Sequence, residues 1–182
     1  MSYENAKKIT LLGLGLRLLI SIFSIFNSLV FARFGPENYV KAINVISIVS
    51  LAAFAIVAVG FLLMWISDRD MIDLLAFGAA ALPIVFYFVL VILLPNTVDG
   101  TIYSLISSFV YGAIYIVLAL KVKDSNTVIA LLLVAMFAWS VFLDSLILNL
   151  LSNLVATLTT LISYAASVVG AALCFLAVKA DE

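Results

Sequence analysis

The sequence predicts an all-α protein, a polytopic membrane helix bundle of six transmembrane helices with both termini in the cytoplasm. Composition is the first observation: of 182 residues, 66% are hydrophobic and 10% are charged, whereas soluble domains carry about 25% charged residues. Spacing is the second, because charged positions separate apolar stretches that exceed the ~20 residues needed to cross a bilayer. The third is an excess of Lys and Arg on one side of the predicted bundle.

Six apolar segments follow one another, and we place helices at about 9–34, 42–66, 73–94, 101–120, 127–148 and 154–178. Gly35-Pro36 ends the first helix, because glycine adopts positive φ and proline cannot continue the hydrogen-bond ladder. Pro83 is expected to bend the third helix. Thr127 to Val178 contains no proline and one glycine, so we place the last turn at the polar residues Asn149, Ser152 and Asn153.

The distribution of Lys and Arg sets the predicted orientation. With the N-terminus inside, the cytoplasmic side receives six basic residues: Lys7, Lys8, Arg69, Lys121, Lys123 and Lys179. The outer side receives only Arg33 and Lys41. Because basic residues concentrate in cytoplasmic loops, both termini are predicted to be cytoplasmic. The short loops and the apolar composition suit a plasma membrane.

Three aspartates cluster between the second and third predicted helices, at Asp68, Asp70 and Asp73. A divalent metal site is one interpretation, but three acids without a second cluster cannot complete a six-oxygen shell. Capping is preferred, because Asp70 occupies an N-cap position and Asp73 the first turn, where acids complement the helix dipole. Asp124-Ser125-Asn126 is expected to cap the fifth helix. We therefore predict no metal site.

Little catalytic chemistry is open to a chain with no histidine and a single cysteine, Cys174. Haem and zinc sites that depend on histidine are excluded, as are Ser/His and Cys/His nucleophile pairs. We expect no enzyme, no catalytic residue and no cofactor. No nucleic-acid partner is expected either, because no basic cluster is long enough to bind phosphates. The expected partners are the lipid bilayer and either other membrane subunits or further copies of the chain.

One face of the first helix carries a line of polar and small residues. At ~100° per residue, six of them lie within about 40° of one direction: Thr10, Gly13, Arg17, Ser21, Ser24 and Ser28. Hydrocarbon cannot accommodate this face, so it turns toward other helices or a wet cavity. One interpretation is a narrow polar path lined by Arg17, Ser21, Ser24, Asn27, Ser28 and Asn44, with Tyr87, Tyr111 and Tyr115 deeper. The other is a set of interhelical hydrogen bonds.

Two charged residues fall inside the predicted spans and away from their ends, Arg17 and Asp144. Such residues are functional candidates by default. Measured from the cytoplasmic surface, Arg17 lies ~12 Å along its helix and Asp144 ~26 Å along its own, which disfavours a direct ion pair. In the alternative interpretation, Arg17 snorkels to the inner interface and Asp144 lies at the outer one. Trp139, also in mid-span, is expected to be buried with an N–H that needs an acceptor.

Two rows of small residues at four-residue spacing predict close packing between the fourth and sixth helices: Ser104, Ser108 and Gly112, and Ser163, Ser167 and Ala171. These rows, together with loops too short for a site outside the bilayer, favour a structural or accessory subunit of a membrane complex. The alternative is a small six-helix transporter or channel with a polar path along the first helix. A three-plus-three inverted repeat, which would favour transport, is not visible in the sequence.

Overall fold

The computed structural model describes residues 2–30, 36–93, 99–142 and 149–180. These ranges are almost entirely helical and contain no strand. The elements are α1 (Tyr3–Val30), α2 (Pro36–Asp68), α3 (Met71–Phe86) with a π-helical continuation (Tyr87–Leu93), α4 (Gly100–Val122), α5 (Thr127–Ala138) and α6 (Asn149–Lys179).

The predicted all-α helix bundle is confirmed. Five helices are long and apolar enough to cross a membrane, over Tyr3–Asn27, Val40–Asp68, Met71–Leu90, Ile102–Val122 and Leu161–Lys179. The apolar helix that contains α5 is described over Thr127–Phe142, and its predicted continuation to residue 148 lies outside the described residues. Each helix packs on its neighbour in sequence, and α1 packs on α6 to close the bundle.

The observed bounds differ from the predicted ones mainly at the starts of α1, α2 and α6, and α1 begins at Tyr3 rather than at residue 9. α2 begins at Pro36 rather than at residue 42, because proline at the first helical position lacks only an N–H that would have no partner there. α6 begins at Asn149, so the turn that we placed at Asn149, Ser152 and Asn153 is wrong at those residues. None of these three residues is glycine or proline, which disfavour a helix interior most. Their polarity alone did not end the helix.

Both predicted caps are present. The Asp70 carboxylate accepts a hydrogen bond from the Ile72 N–H at 3.0 Å, and the Asn126 side chain accepts one from the Ile129 N–H at 3.1 Å. Each cap satisfies an N–H group that has no partner within its own helix.

The described apolar core lies at the end of the bundle that carries both termini. Its members occupy the first half of α1, of α3 with its continuation and of the helix Thr127–Phe142, and the second half of α2, α4 and α6, as an up-and-down topology requires. Every helix contributes, through residues such as Leu14, Phe61, Ala80, Leu118, Leu133 and Cys174. This end is therefore closed by close-packed side chains.

α1 and α2 make a very close crossing within this core. A Cβ atom on Gly13 would lie 2.7 Å from Val57 Cγ2 and 2.9 Å from the Val57 backbone nitrogen. A Cβ atom on Gly60 would lie 2.7 Å from the Thr10 nitrogen and 2.9 Å from its Cα. The first two members of the polar face of α1 are therefore packed against α2, and small residues permit this approach.

A buried ion pair joins three helices at the same end. Lys121 Nζ lies 2.9 Å from Asp73 Oδ1 and 3.8 Å from Asp70 Oδ2, and it donates a hydrogen bond to the Tyr3 hydroxyl at 3.3 Å. The side chains of Lys121 and Asp73 are 4% and 0% exposed. The first-turn role predicted for Asp73 holds, but its pairing with Lys121 was not predicted from the sequence.

Gly60→Ala is expected to destabilise the protein, because the new methyl group would overlap the backbone of Thr10. Overpacking of this kind costs about 1–3 kcal/mol, measurable as a lower midpoint of thermal unfolding in detergent. Gly78→Ala is the matched control, since a Cβ atom there meets nothing within 4 Å. Equal midpoints for the two variants would contradict the close crossing.

Removing one partner of the Lys121–Asp73 pair is expected to cost about 3–5 kcal/mol, because the other charge stays buried and unpaired. Asp73→Asn and Lys121→Met should each lower the unfolding midpoint strongly. The double variant Asp73→Leu with Lys121→Met should recover much of the loss. Lys123→Met, which removes an exposed lysine, is the control; a comparable loss in that variant would refute the pair's structural role.

Candidate functional site

A polar cavity of about 800 Å³ occupies the half of the bundle beyond the core, and we call it the vestibule. α1, α2, the π-helical continuation of α3, α4 and α6 all contribute to its wall. Among the described residues that line it, Arg17 is the only charged one. Its polar lining residues are Arg17, Ser21, Ser24, Asn44, Ser47, Ser50, Tyr87, Tyr103, Tyr111, Tyr164 and Ser167.

Six of the nine residues predicted to line the polar path border the vestibule: Arg17, Ser21, Ser24, Asn44, Tyr87 and Tyr111. Asn27 is 2% exposed, and its side-chain oxygen has no hydrogen-bond partner in the described part of the chain. Ser28 lies in the last turn of α1. Asp144 lies outside the described residues, so its predicted role stays a prediction.

A smaller cavity of about 230 Å³, which we call the inner chamber, lies between α1, α4, α5 and α6. Arg17, Tyr111 and Ser167 border both cavities. The other lining residues of the inner chamber are Ser107, Ser108, Tyr115, Met136, Trp139, Ser140, Ser163 and Ala166. Arg17 thus stands where two polar spaces meet.

The Arg17 guanidinium lies over the Phe54 ring, with its central carbon 3.9 Å from the ring centroid. A cation above an aromatic face is attracted by the ring quadrupole. Gly13 meets Val57 in the crossing of α1 and α2, so Arg17 and Phe54, each about one turn further along, share one level of the bundle. The guanidinium therefore lies level with Phe54 in the bundle, and the snorkelling interpretation stays a prediction.

The charge is not fully satisfied by this contact. Arg17 Nη1 is buried and has no hydrogen-bond partner in the described ranges, and the same holds for Trp139 Nε1. The acceptor expected for the Trp139 N–H is therefore not found among the described side chains. A buried donor without a partner costs free energy unless water or a ligand accepts its hydrogen bond.

The serines of α1 use their hydroxyls in different ways. Ser21 Oγ and Ser167 Oγ lie 3.0 Å apart and join α1 to α6, which is the interhelical bond that the sequence left open. Ser24 and Ser47 donate within their own helices, to the carbonyls of Ile20 and Ile43, each at 2.9 Å. Each of these two hydroxyl oxygens can still accept a hydrogen bond from a molecule in the vestibule.

Aromatic contacts stiffen the wall formed by α2, α3 and α4. The ring centroids of Phe54 and Tyr111 are 5.6 Å apart at 61°. Phe86 lies 5.3 Å from Tyr103 and 6.4 Å from Tyr111. These separations suit edge-to-face and tilted aromatic pairs, so Phe54 is held between Tyr111 and the guanidinium that it faces.

Two helices change to π-helical geometry where they border the cavities. α3 does so at Tyr87, four residues after Pro83, and the chain beyond α5 does so at Trp139 and continues to Phe142. Tyr87 lines the vestibule and Trp139 the inner chamber. π-helical turns occur frequently at functional sites. The sequence predicted a bend from Pro83 but gave no signal for either π-helical segment.

The rows of small residues do not interlock as predicted. α4 and α6 do meet, where the Tyr115 ring packs on Gly170. Gly112, however, faces Phe137 of α5, whose ring carbon would lie 3.1 Å from an added Cβ atom. Several of the serines in these rows line the inner chamber instead, namely Ser108, Ser163 and Ser167.

Sequence reasoning missed part of the vestibule wall on α2. Asn44 was identified, but Ser47 was not, although Asn44, Ser47, Leu51 and Phe54 recur at helical spacing and all line the cavity. A search for a second polar face opposite that of α1 would have found them. No group of three or more His, Cys, Asp or Glu able to hold a metal occurs among the described residues.

No protein-family model matches this chain, and the comparisons with curated proteins and with solved structures give no match either.

Cysteine substitutions test whether the vestibule holds water, because hydrophilic maleimides react with wet thiols and not with lipid-facing ones. In a Cys174→Ala background, Ser47→Cys is expected to react readily. Phe88→Cys is the control, because Phe88 is 54% exposed on the outer surface of the bundle. Phe88→Cys is expected to stay unlabelled, and absence of labelling at Ser47→Cys as well would mean that the vestibule is dry.

Proposed function

We propose that this chain is a small transporter or channel that admits a polar solute to the vestibule and brings it to Arg17. The observation that carries the proposal is a cavity of about 800 Å³ with polar side chains from five elements around one arginine. Ligand cavities in proteins are typically about 300–1,000 Å³. A purely structural bundle gains nothing from keeping such a space open, since voids lose packing contacts.

The placement of the polar groups supports the same function. Polar and ionisable residues inside a membrane are costly and generally face a water-filled cavity or one another. Here the serines, tyrosines and Asn44 gather on one cavity, whereas large apolar side chains such as Leu19, Ile22 and Phe26 lie on the outer surface. The arrangement suits a solute that must leave water without entering hydrocarbon.

We propose further that access is from one side of a cell membrane. The close-packed core closes the end with the termini, and the excess of Lys and Arg at that end favours a cytoplasmic position for it. The vestibule would then open to the outside. An impermeant thiol reagent added outside should reach Ser47→Cys but not Asp124→Cys, and labelling of Asp124→Cys would contradict this orientation.

The accessory-subunit function, preferred from the sequence alone, is the second candidate. An apolar groove of about 650 Å³ between α1 and α2 supports it, because a groove of this kind can seat a partner helix. Its lining residues include Phe23, Phe26, Val45 and Val49. Native extraction in mild detergent, size exclusion and mass spectrometry distinguish the two: partner chains at fixed stoichiometry favour the accessory function.

Proteoliposomes are expected to reswell faster than protein-free liposomes after an osmotic shift with at least one of glycerol, urea, sodium chloride or sodium formate. Stopped-flow light scattering measures the rate. Ser47→Trp, which places an indole ring in the vestibule, should reduce the difference, whereas Phe88→Trp on the outer surface should not. Protein-free rates with all four solutes in the wild-type protein would contradict the proposal for solutes of this size.

A further inference from the structure

We infer that the inner chamber is a binding site for a small monovalent anion, such as a halide or a short carboxylate. This inference rests on the proposed function and names the class of solute. Two buried N–H donors without described partners, on Arg17 and Trp139, border this one polar cavity.

The donor set fits an anion. The Arg17 guanidinium is always charged and carries only donors, and the indole of Trp139 is likewise a donor and never an acceptor. Hydroxyl groups on α4, on the π-helical turn after α5 and on α6 complete the wall, and one of them, that of Ser140, donates to the Ser108 carbonyl at 3.3 Å. They belong to Ser107, Ser108, Tyr111, Tyr115, Ser140, Ser163 and Ser167.

A cation fits this wall poorly. Among the described residues that line the inner chamber, none is Asp or Glu, so a second positive charge would meet Arg17 without compensation. Phe54 occupies one face of the guanidinium and neutralises no charge. An anion supplies the counter-charge and accepts from both orphaned donors, and charge-assisted hydrogen bonds of this kind are the strong ones.

Size restricts the anion. The inner chamber measures about 230 Å³, against the roughly 10–15 Å³ of accessible volume that one water requires. It therefore holds a small anion together with several waters. Since Arg17, Tyr111 and Ser167 also border the vestibule, an anion reaching the arginine from the vestibule passes directly into the inner chamber.

Anion titrations of the purified full chain in detergent test the inference. The protein is placed in sodium gluconate buffer, sodium chloride or sodium formate is added, and the unfolding midpoint is recorded. Emission of Trp139 is followed in the Trp65→Phe variant, which leaves a single tryptophan. Replacing sodium by N-methylglucamine separates anion from cation effects.

We expect a saturable response to chloride or formate that does not depend on the cation. Arg17→Gln should weaken binding roughly tenfold or more, and Trp139→Phe, which keeps an aromatic ring but removes the N–H, roughly three- to tenfold. Arg69→Gln and Trp65→Phe are the matched controls, because Arg69 stacks on Trp65 outside both cavities and both variants should bind like the wild type.

The inference is overturned if the wild-type protein shows no anion-dependent response. It is also overturned if Asp144→Asn responds to anions and the wild type does not, because the Asp144 carboxylate would then be the group that neutralises Arg17. If Arg17→Gln does not give a monodisperse protein, Trp139→Phe and Ser107→Ala decide, and unchanged affinity in both rejects the site. If the protein carries solute but binds no anion, the anion site is rejected and the transport function stands. If it binds an anion but carries no solute, the transport function is rejected and the anion site stands.

Discussion

Arg17 brings a permanent positive charge into the middle of an apolar bundle. Burying this charge costs free energy, and the surrounding side chains offset part of it. Insertion scales put an arginine at the centre of a membrane helix at about 2.5–3.5 kcal/mol. The protein offsets part of this cost through the Phe54 ring, 3.9 Å from the guanidinium, and through two polar cavities that meet at the side chain. One buried N–H of the arginine is still left for water or a ligand.

The depth of Arg17 follows from the crossing of α1 and α2. Gly13 and Gly60 let the two backbones approach so closely that an added Cβ atom would lie 2.7–2.9 Å from backbone atoms of the partner helix. This contact fixes the register, so that Arg17 meets Phe54. Below this level the core fills the bundle, with the buried Lys121–Asp73 pair joining α3 to α4. Above it the helices enclose the vestibule.

Much of the fold could be predicted from the sequence, because apolar length and capping residues are local properties. Asp70 and Asn126 cap the helices as expected, and the polar face of α1 turns inward. The sequence could not show that this face changes its role along the helix. Thr10 and Gly13 pack on α2, whereas Arg17 and Ser24 border a cavity, a division set by residues of the partner helices.

The features that the sequence did not predict also depend on contacts between helices. The Lys121–Asp73 pair joins positions far apart in sequence, although both lie at helix ends on one side and their common depth was available as a signal. The turn placed at Asn149, Ser152 and Asn153 failed because polarity was taken as a stop signal where no glycine or proline supports one. The fold thus follows largely from local pattern, whereas the candidate site depends on which helices meet.

A spin-label scan along α2 tests the central claim most directly. Single labels at Asn44, Ser47, Leu51, Phe54, Val57 and Phe61 would be compared for collisions with a water-soluble nickel chelate and with molecular oxygen, which prefers lipid. The structure predicts high chelate collision at the first three positions, a fall at Phe54, and little of either at Val57 and Phe61, which are 0% exposed. Oxygen-dominated collision at Asn44, Ser47 and Leu51 would contradict a wet vestibule that ends at Arg17.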